Sequence, residues 1–300
     1  MITVQVLMAV YNGAAYLRQQ IDSIMRQQGV NVSLLIRDDG SSDGTIEILR
    51  EYETQFQNIS VYTGERKGAA GSFFDLILHV GFGSRYYAFA DQDDVWLADK
   101  LLRAVSMLEK ETYDVPLLYA GKVICASEDL NRLHAFPYQY SREPSFGNAL
   151  LENICMGCTE VFNECLLAIV KGHIPPDGVM HDWWMYLTAS YFGIVVYDKK
   201  AFLLYRQHGN NEVGMKEHWF GRWVSRLRRI RRMQHQLSRQ AVVFRDVYKG
   251  QSVRDERLSL LCSCKAHFLF RIRILCNKNI YRQNPVDDVL CRILILIGFL

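Results

Sequence analysis

A chain of 300 residues with 49% apolar side chains can bury a sizeable core, which excludes a disordered or low-complexity protein. Lys and Arg number 35 against 32 Asp and Glu, a formal charge of +3, so the balance implies no polyanionic partner and no nucleic acid. Its 8 cysteines are scattered through a long chain, which fits reduced thiols; Cys155 and Cys158 lack the second, comparably spaced pair of a structural zinc site.

The opening MITVQVLMAVYNG has no basic leader region and no small-residue cleavage site, and its apolar run breaks at a Tyr-Asn-Gly turn. It reads as a first strand. From residue 3 to about 125 the pattern then alternates: VQVLMAV, a helix over 16–28, VSLLIRDDG, a helix over 45–56, ISVYTG, a helix over 72–79, and YYAFADQDD. Short β-branched and aromatic runs between amphipathic stretches predict βαβ units, hence a Rossmann-like α/β fold with a mainly parallel sheet and flanking helices. Such sheets bind ligands beyond the carboxyl ends of their strands. YNGA, DDGSSDGT and DQDD each fall at one of those ends.

Within DDGSSDGT, Ser41, Ser42 and Asp43 suit a turn followed by a helix cap. Asp38 and Asp39 end the strand itself, where a carboxylate can accept the ring N–H of a base or serve the structure. Asp91, Asp93 and Asp94 crowd together with no basic residue before Lys100. Carboxylates so close repel one another unless a cation sits among them, so the candidates are a divalent metal or nothing more than water. Residues 126–215 mix turns, short apolar runs and two polar-aromatic clusters, MHDWWMYL and YRQHGNN. Asp182 suits a helix start, with the indoles of Trp183 and Trp184 in the core.

Beyond residue 215, WFGRWVSRLRRIRRMQHQL carries six arginines and no acid between Arg222 and Arg232, with Phe220, Trp223, Leu227 and Ile230 at three- and four-residue steps. This pattern predicts a basic amphipathic helix, suited to an anionic membrane surface or an acidic partner, or packed back with its arginines in solvent. The final run, VLCRILILIGFL, is shorter than the ~20 residues of a membrane span. It could lie in an interface, pair with another subunit, or form a buried last helix.

Taken in order, VLMAVYNGAAYLRQQIDSIMRQ, IRDDGSSDGT, FADQDDVWLADKL, HDWW and YRQHGNN resemble family 2 of the glycosyltransferases, and within it the rhamnosyltransferase-like members that build bacterial surface polysaccharides. The resemblance spans about residues 3–211. It implies a GT-A domain over 1–215 with a helical, basic extension over 216–300, and metal-dependent transfer with inversion at the anomeric carbon. It implies Mg²⁺ or Mn²⁺ as cofactor and a dTDP-sugar or UDP-sugar as donor. The expected donor is dTDP-L-rhamnose, the alternative a UDP-linked glucose, galactose or N-acetylhexosamine. The acceptor would be a lipid-linked glycan or oligosaccharide, and the enzyme cytoplasmic and peripheral on the inner face of a bacterial plasma membrane. A non-catalytic metal- or carbohydrate-binding assembly partner is the alternative of another class; intact Asp39, Asp93, Asp182 and His208 argue against it.

Carried onto this sequence, the resemblance puts Ala9 and Tyr11 against the nucleotide and Asp39 on the N3–H of uracil or thymine. Asp93 would ligate the metal directly, and Asp91 would face the ribose or the metal through water. His208 would close over the diphosphate at the metal, with Arg206 helping to neutralise it. Gly157 and Thr159, in NICMGCT, would lie under the donor sugar. Asp182 would be the catalytic base, with His181 as a rival. Relatives show Asn-x-Gly and a second Asn where this chain has GERKGAAGSFF, so Arg66 or Ser72 would stand in. WFGRW puts Trp219 in the glutamine position of the processive Gln-x-x-Arg-Trp motif, which predicts a non-processive transferase.

Overall fold

The computed structural model of the chain describes residues 1–135, 140–208, 236–251 and 255–299. The described residues form two compact units, one from 1–135 and 154–208, the other from 140–153, 236–251 and 255–299. The arginine-rich run 219–232 and the last residues of YRQHGNN lie outside the described residues.

The first unit begins with β1 (Thr3–Val10), α1 (Leu17–Met25), β2 (Asn31–Asp38), α2 (Thr45–Gln55), β3 (Ile59–Thr63), α3 (Gly68–His79) and β4 (Tyr86–Ala90). β5 (Val95–Trp96), α4 (Lys100–Leu108), β6 (Leu117–Ala126) and β7 (Leu133–Ala135) follow. After α5 (Phe146–Ala149), which belongs to the second unit, come β8 (Val161–Asn163), α6 (Glu164–Lys171), α7 (His181–Phe192) and β9 (Ile194–Arg206). The second unit continues with α8 (Gln236–Val247), α9 (Glu256–Ser263), α10 (Phe268–Cys276) and α11 (Pro285–Leu296).

Strand order is β3-β2-β1-β4-β8-β6-β9-β5, with β7 on β6. The first four strands run parallel to one another, as alternating strands and helices require. β4 and β6 pair antiparallel with β8, and β6 runs parallel to β9. All five side chains of β4 are buried, as expected of a strand covered on both faces. α1 buries Leu17, Ile21 and Ile24, one stripe at three- and four-residue steps. Leu7 and Phe89 are fully buried in the core, where truncation to alanine typically costs about 2–5 kcal/mol.

Two differences from the sequence reading have local causes. α3 starts at Gly68 rather than Ser72, because Gly68 takes φ 71° and turns the chain into the helix. β9 is a 13-residue strand, although Asp198, Lys199 and Lys200 interrupt its apolar run; a register irregularity on β6 accommodates them. All eight cysteines are free thiols. Among the described residues no helix is long and apolar enough to cross a membrane.

Candidate active site

Strand order 3-2-1-4 reverses between β1 and β4, and the crevice at such a switch is where an open α/β sheet admits a ligand. Register brings the strand ends level: Ala9 lies opposite Arg37, Val10 opposite Asp38, and Met8 opposite Ala90. Gln92 then clasps Tyr11 across the switch, accepting from its N–H (2.8 Å) and donating to its carbonyl (3.0 Å). Gly13 lies under that clasp; a Cβ there would stand 2.5 Å from Gln92 Oε1. Ser41, Thr45 and Asp43 accept from the N–H groups of Asn12, Gly13 and Ala14, and Asn12, at φ 47°, accepts from Ser42 N–H. Ser41 and Asp43 therefore brace the first loop, and Asp43 also accepts from Thr45 N–H as a turn residue does.

Asp39 is 3% exposed and its charge is answered from inside the protein. Its carboxylate accepts from Arg37 Nη1 (2.5 Å) and from the N–H groups of Lys67 and Gly68 (2.8 Å each). Burial opposes ionisation, but the Lys67 N–H, the Arg37 guanidinium and the Gly68 N–H outweigh it and hold the carboxyl below its usual range. Arg37, 1% exposed, also donates to Asp75 (2.9 Å) and to Ser72 Oγ (2.8 Å). Lys67 Nζ completes the network on Asp75 at 2.5 Å. Ser72 is thus part of the support under Asp39, while the exposed Arg66 guanidinium lies 4.2 Å over the Tyr11 ring.

The acidic loop after β4 is arranged otherwise. Asp94 is fully buried; one oxygen accepts from Arg206 N–H at 3.2 Å and Oδ2 has no hydrogen-bond partner. Burial first, then the charges of Asp91 and Asp93, hold its carboxyl well above the usual range. Ligand atoms of Asp91, Asp94 and Cys158 lie within 4.8 Å of one another. Asp93 Oδ2 is 2.7 Å from His208 Nε2, and the His208 ring stacks on Tyr16 at 4.8 Å. Tyr16 donates to Glu128 at 2.5 Å. Arg206 is 3% exposed, and its guanidinium clamps the loop, donating to the Asp93 carbonyl (2.7 Å), Gln19 Oε1 (2.5 Å) and the Glu128 carbonyl. Lys100 sits behind the loop with Nζ 3.4 Å over the Trp96 ring and no hydrogen-bond partner, its pKa pushed down by burial to about 7.

This loop fits a hard divalent cation. It gathers carboxylate oxygens, one of them buried without a partner, beside an imidazole nitrogen, and oxygen-rich donor sets suit Mg²⁺ and Mn²⁺.

A 3-10 turn at Gly157–Thr159 links the loop to the start of α7. Cys158 faces Asp91 and Asp94, while a Cβ on Gly157 would stand 3.4 Å from Asp182 Cβ and 2.7 Å from His181 Nε2. Only glycine lets the turn approach α7 so closely. Thr159 is buried and braces the turn, donating to Met156 and accepting from Gly121 N–H. Asp182 is half-buried in the first turn of α7, where the helix dipole favours a carboxylate, and it accepts from Trp183 N–H at 2.7 Å. Trp184 is core, fully buried and bonded to the His173 carbonyl; Trp183 is half-buried. His181 stacks on Phe73 at 4.0 Å and meets Phe89 edge-to-face at 5.2 Å, with neither nitrogen hydrogen-bonded. Burial pushes its pKa down to about 3, so it stays neutral and out of reach of an acceptor.

The site thus joins Ala9, Tyr11, Arg66 and Asp39 around one side of the switch, and Asp91, Asp93, Arg206 and His208 around the other. Gly157 connects the second group to Asp182. Sequence reasoning missed Arg37, Asp75, Gln92 and the Tyr16–Glu128 pair; the readable signal was Arg37 itself, a charge set two residues before Asp39 inside an apolar strand.

Residues 5–162 match the family model described as glycosyl transferase family 2. The chain belongs to glycosyl transferase family 2. It is 31% identical over 218 residues to the dTDP-rhamnosyl transferase RfbG of Shigella flexneri, covering 69% of this chain and 73% of that one. A UDP-Glc:alpha-D-GlcNAc-diphosphoundecaprenol beta-1,3-glucosyltransferase, WfgD of Escherichia coli, is 31% identical over 166 residues, 55% of this chain and 61% of that one. The fold matches S. aureus TarS 1-349 in complex with UDP-GlcNAc with a TM-score of 0.62 at 14% identity, over 98% of this chain and 82% of that one. The glycosyltransferase therefore has the expected GT-A architecture, is dependent on a nucleotide-sugar donor, and resembles rhamnosyl and glucosyl transferases of polysaccharide synthesis.

Proposed function

We propose that this glycosyltransferase moves L-rhamnose from dTDP-L-rhamnose to a lipid-linked glycan, with divalent metal and with inversion. The transferase domain of this reading is 1–215 and its helical extension 216–300. The observation that carries it is the junction just described, with a base-reading carboxylate and a cation-seeking loop on either side of the switch, tied through Gly157 to Asp182. The rhamnose donor is supported by the likeness to RfbG, and the lipid-linked acceptor by the likeness to WfgD, which acts on a GlcNAc-diphosphoundecaprenol.

In this reading Tyr11 and Arg66, stacked on each other, lie against the nucleotide, and Asp39, ionised and fixed by Arg37, accepts the N3–H of its base. Asp93 and His208 would hold the ion, and Asp91 would face the ribose or the ion. When bound, Mg²⁺ or Mn²⁺ offsets the charge that builds on the departing nucleoside diphosphate. Arg206 keeps the loop in place and adds a positive charge beside it. Gly157, under the donor sugar, lets the turn close onto α7 and so brings Asp182 to the site. Asp182 takes the proton from the acceptor hydroxyl as that oxygen attacks the anomeric carbon, and a single displacement inverts the configuration.

Asp39 meets the same N3–H on uracil and thymine, so a UDP-hexose is the second reading, favoured by the UDP-glucose of WfgD. The test offers dTDP-L-rhamnose and UDP-glucose with Mn²⁺ and a synthetic polyprenyl-diphosphate N-acetylglucosamine, and reads product mass and anomeric configuration. Rhamnosylated, inverted product is expected, with Asp182→Asn lowering turnover about 10²–10⁴-fold while donor binding is kept. Retained configuration, or an undiminished Asp182→Asn enzyme, would contradict the mechanism.

A further inference from the structure

The second unit ends in two antiparallel helices stapled by arginines. Arg271 of α10 donates to the carbonyls of Cys264 (2.7 Å) and Leu296 (3.4 Å), and Arg292 of α11 to those of Leu275 (2.6 Å) and Ile280 (2.5 Å). The start of α10 therefore lies beside the end of α11. Ile274, Cys291 and Ile295 are buried and form the inner side of the pair.

The other side is apolar and open. Along α11 and its last turn, Val286, Val289, Ile293 and Ile297 are 53, 56, 50 and 65% exposed, at three- and four-residue steps that make one stripe. At the start of α10, Phe268, Leu269 and Ile272 are 58, 73 and 39% exposed, at the same end of the pair as Ile293 and Ile297. Apolar surface gathered in this way marks an interaction face.

We propose that this face is where the enzyme docks on an anionic lipid bilayer, with α10 and α11 lying in the headgroup plane. Charge selects this occupant. Residues 265–299 contain six Lys and Arg against two Asp; both aspartates are half-buried, and Asp288 is paired with Arg292 at 2.9 Å. Lys265 and Lys278 are exposed around the apolar residues, as is Arg273, which pairs with Glu256 at 2.9 Å. A second copy of the chain would set these like charges against each other, whereas anionic headgroups complement them. Helices of 9 and 12 residues are too short to cross a bilayer but suit an interfacial position, apolar face down among the acyl chains. The inference rests on the proposed lipid-linked acceptor for its purpose alone; the chemistry of the face is independent of it.

The test sediments the full chain with phosphatidylcholine vesicles made with and without phosphatidylglycerol, at low and at raised salt. Wild type is expected to partition onto the anionic vesicles and to be released by salt. Val289→Glu/Ile293→Glu and Leu269→Glu are each expected to lower that partition about tenfold or more, with unchanged melting temperature and unchanged nucleotide binding. Three results would overturn the proposal: wild type left in the supernatant, variants that sediment like wild type, or variants that only dissolve a homodimer. Vesicle binding by a chain that failed to bind nucleotide would instead uphold this face and remove the transfer reading.

Discussion

Two strand ends of one sheet treat their carboxylates in opposite ways. Beyond β2, Asp39 has its counterion within the fold: Arg37, buried beside it, plus two backbone N–H groups. Beyond β4, Asp91, Asp93 and Asp94 gather with the His208 imidazole on Asp93, the Arg206 guanidinium across the loop and an unpartnered oxygen on Asp94. An internal counterion makes a rigid, permanently ionised acceptor, the property needed to read a ring N–H. Beyond β4 three carboxylates share the Arg206 guanidinium and the His208 imidazole, and in the proposed reading a divalent ion bound with the donor supplies further positive charge. Neutrality is a third solution, used by His181 against its two phenylalanines.

Removing the internal counterion gives the largest expected change in stability. Arg37→Met would leave Asp39 and Asp75 buried and uncompensated, and breaking such a pair typically costs about 3–5 kcal/mol. Urea unfolding should show that loss, and the folded remainder should bind nucleotide more weakly at unaltered metal affinity. A midpoint close to wild type would mean the network does not hold Asp39 in place.

A smaller effect separates neutrality from pairing. The folded pKa of His181 is depressed to about 3, below its unfolded value, so the unfolded chain binds the extra proton first. Stability should therefore fall as pH drops below about 6.5, with about 2 kcal/mol of the loss reached by pH 5. His181→Phe should flatten that part of the curve and keep transfer activity, as followed by thermal melts from pH 7.5 to 5. Loss of turnover with normal donor binding would instead return His181 to the chemistry.

The alternation of strands and helices through β4 was legible because periodicity is local, and so was the placing of YNGA, DDGSSDGT and DQDD at strand ends. Asp182 at a helix start was legible for the same reason. The partner of Asp39 was half legible, since Arg37 is only two residues away, near the end of β2. Asp75, which shares that arginine, is 38 residues further along and enters only through tertiary contact. The start of α3 was misplaced because GAAG reads as a breaker, whereas Gly68 uses its freedom to begin the helix. β9 was hidden by Asp198, Lys199 and Lys200, whose place is set by pairing with β6 rather than by their own propensity. The exposed face of α10 and α11 could not be read from VLCRILILIGFL, which looks the same whether its stripe is covered or open.

The claim that the β4 loop awaits an external cation is tested most directly by calorimetric titration of dTDP and UDP with Mn²⁺, repeated with chelator and with Asp93→Ala. Binding that requires Mn²⁺ and is lost in Asp93→Ala is the predicted result, and tighter binding of dTDP would favour the rhamnose donor. Tight binding that ignored both the metal and Asp93 would contradict the account of the acidic loop.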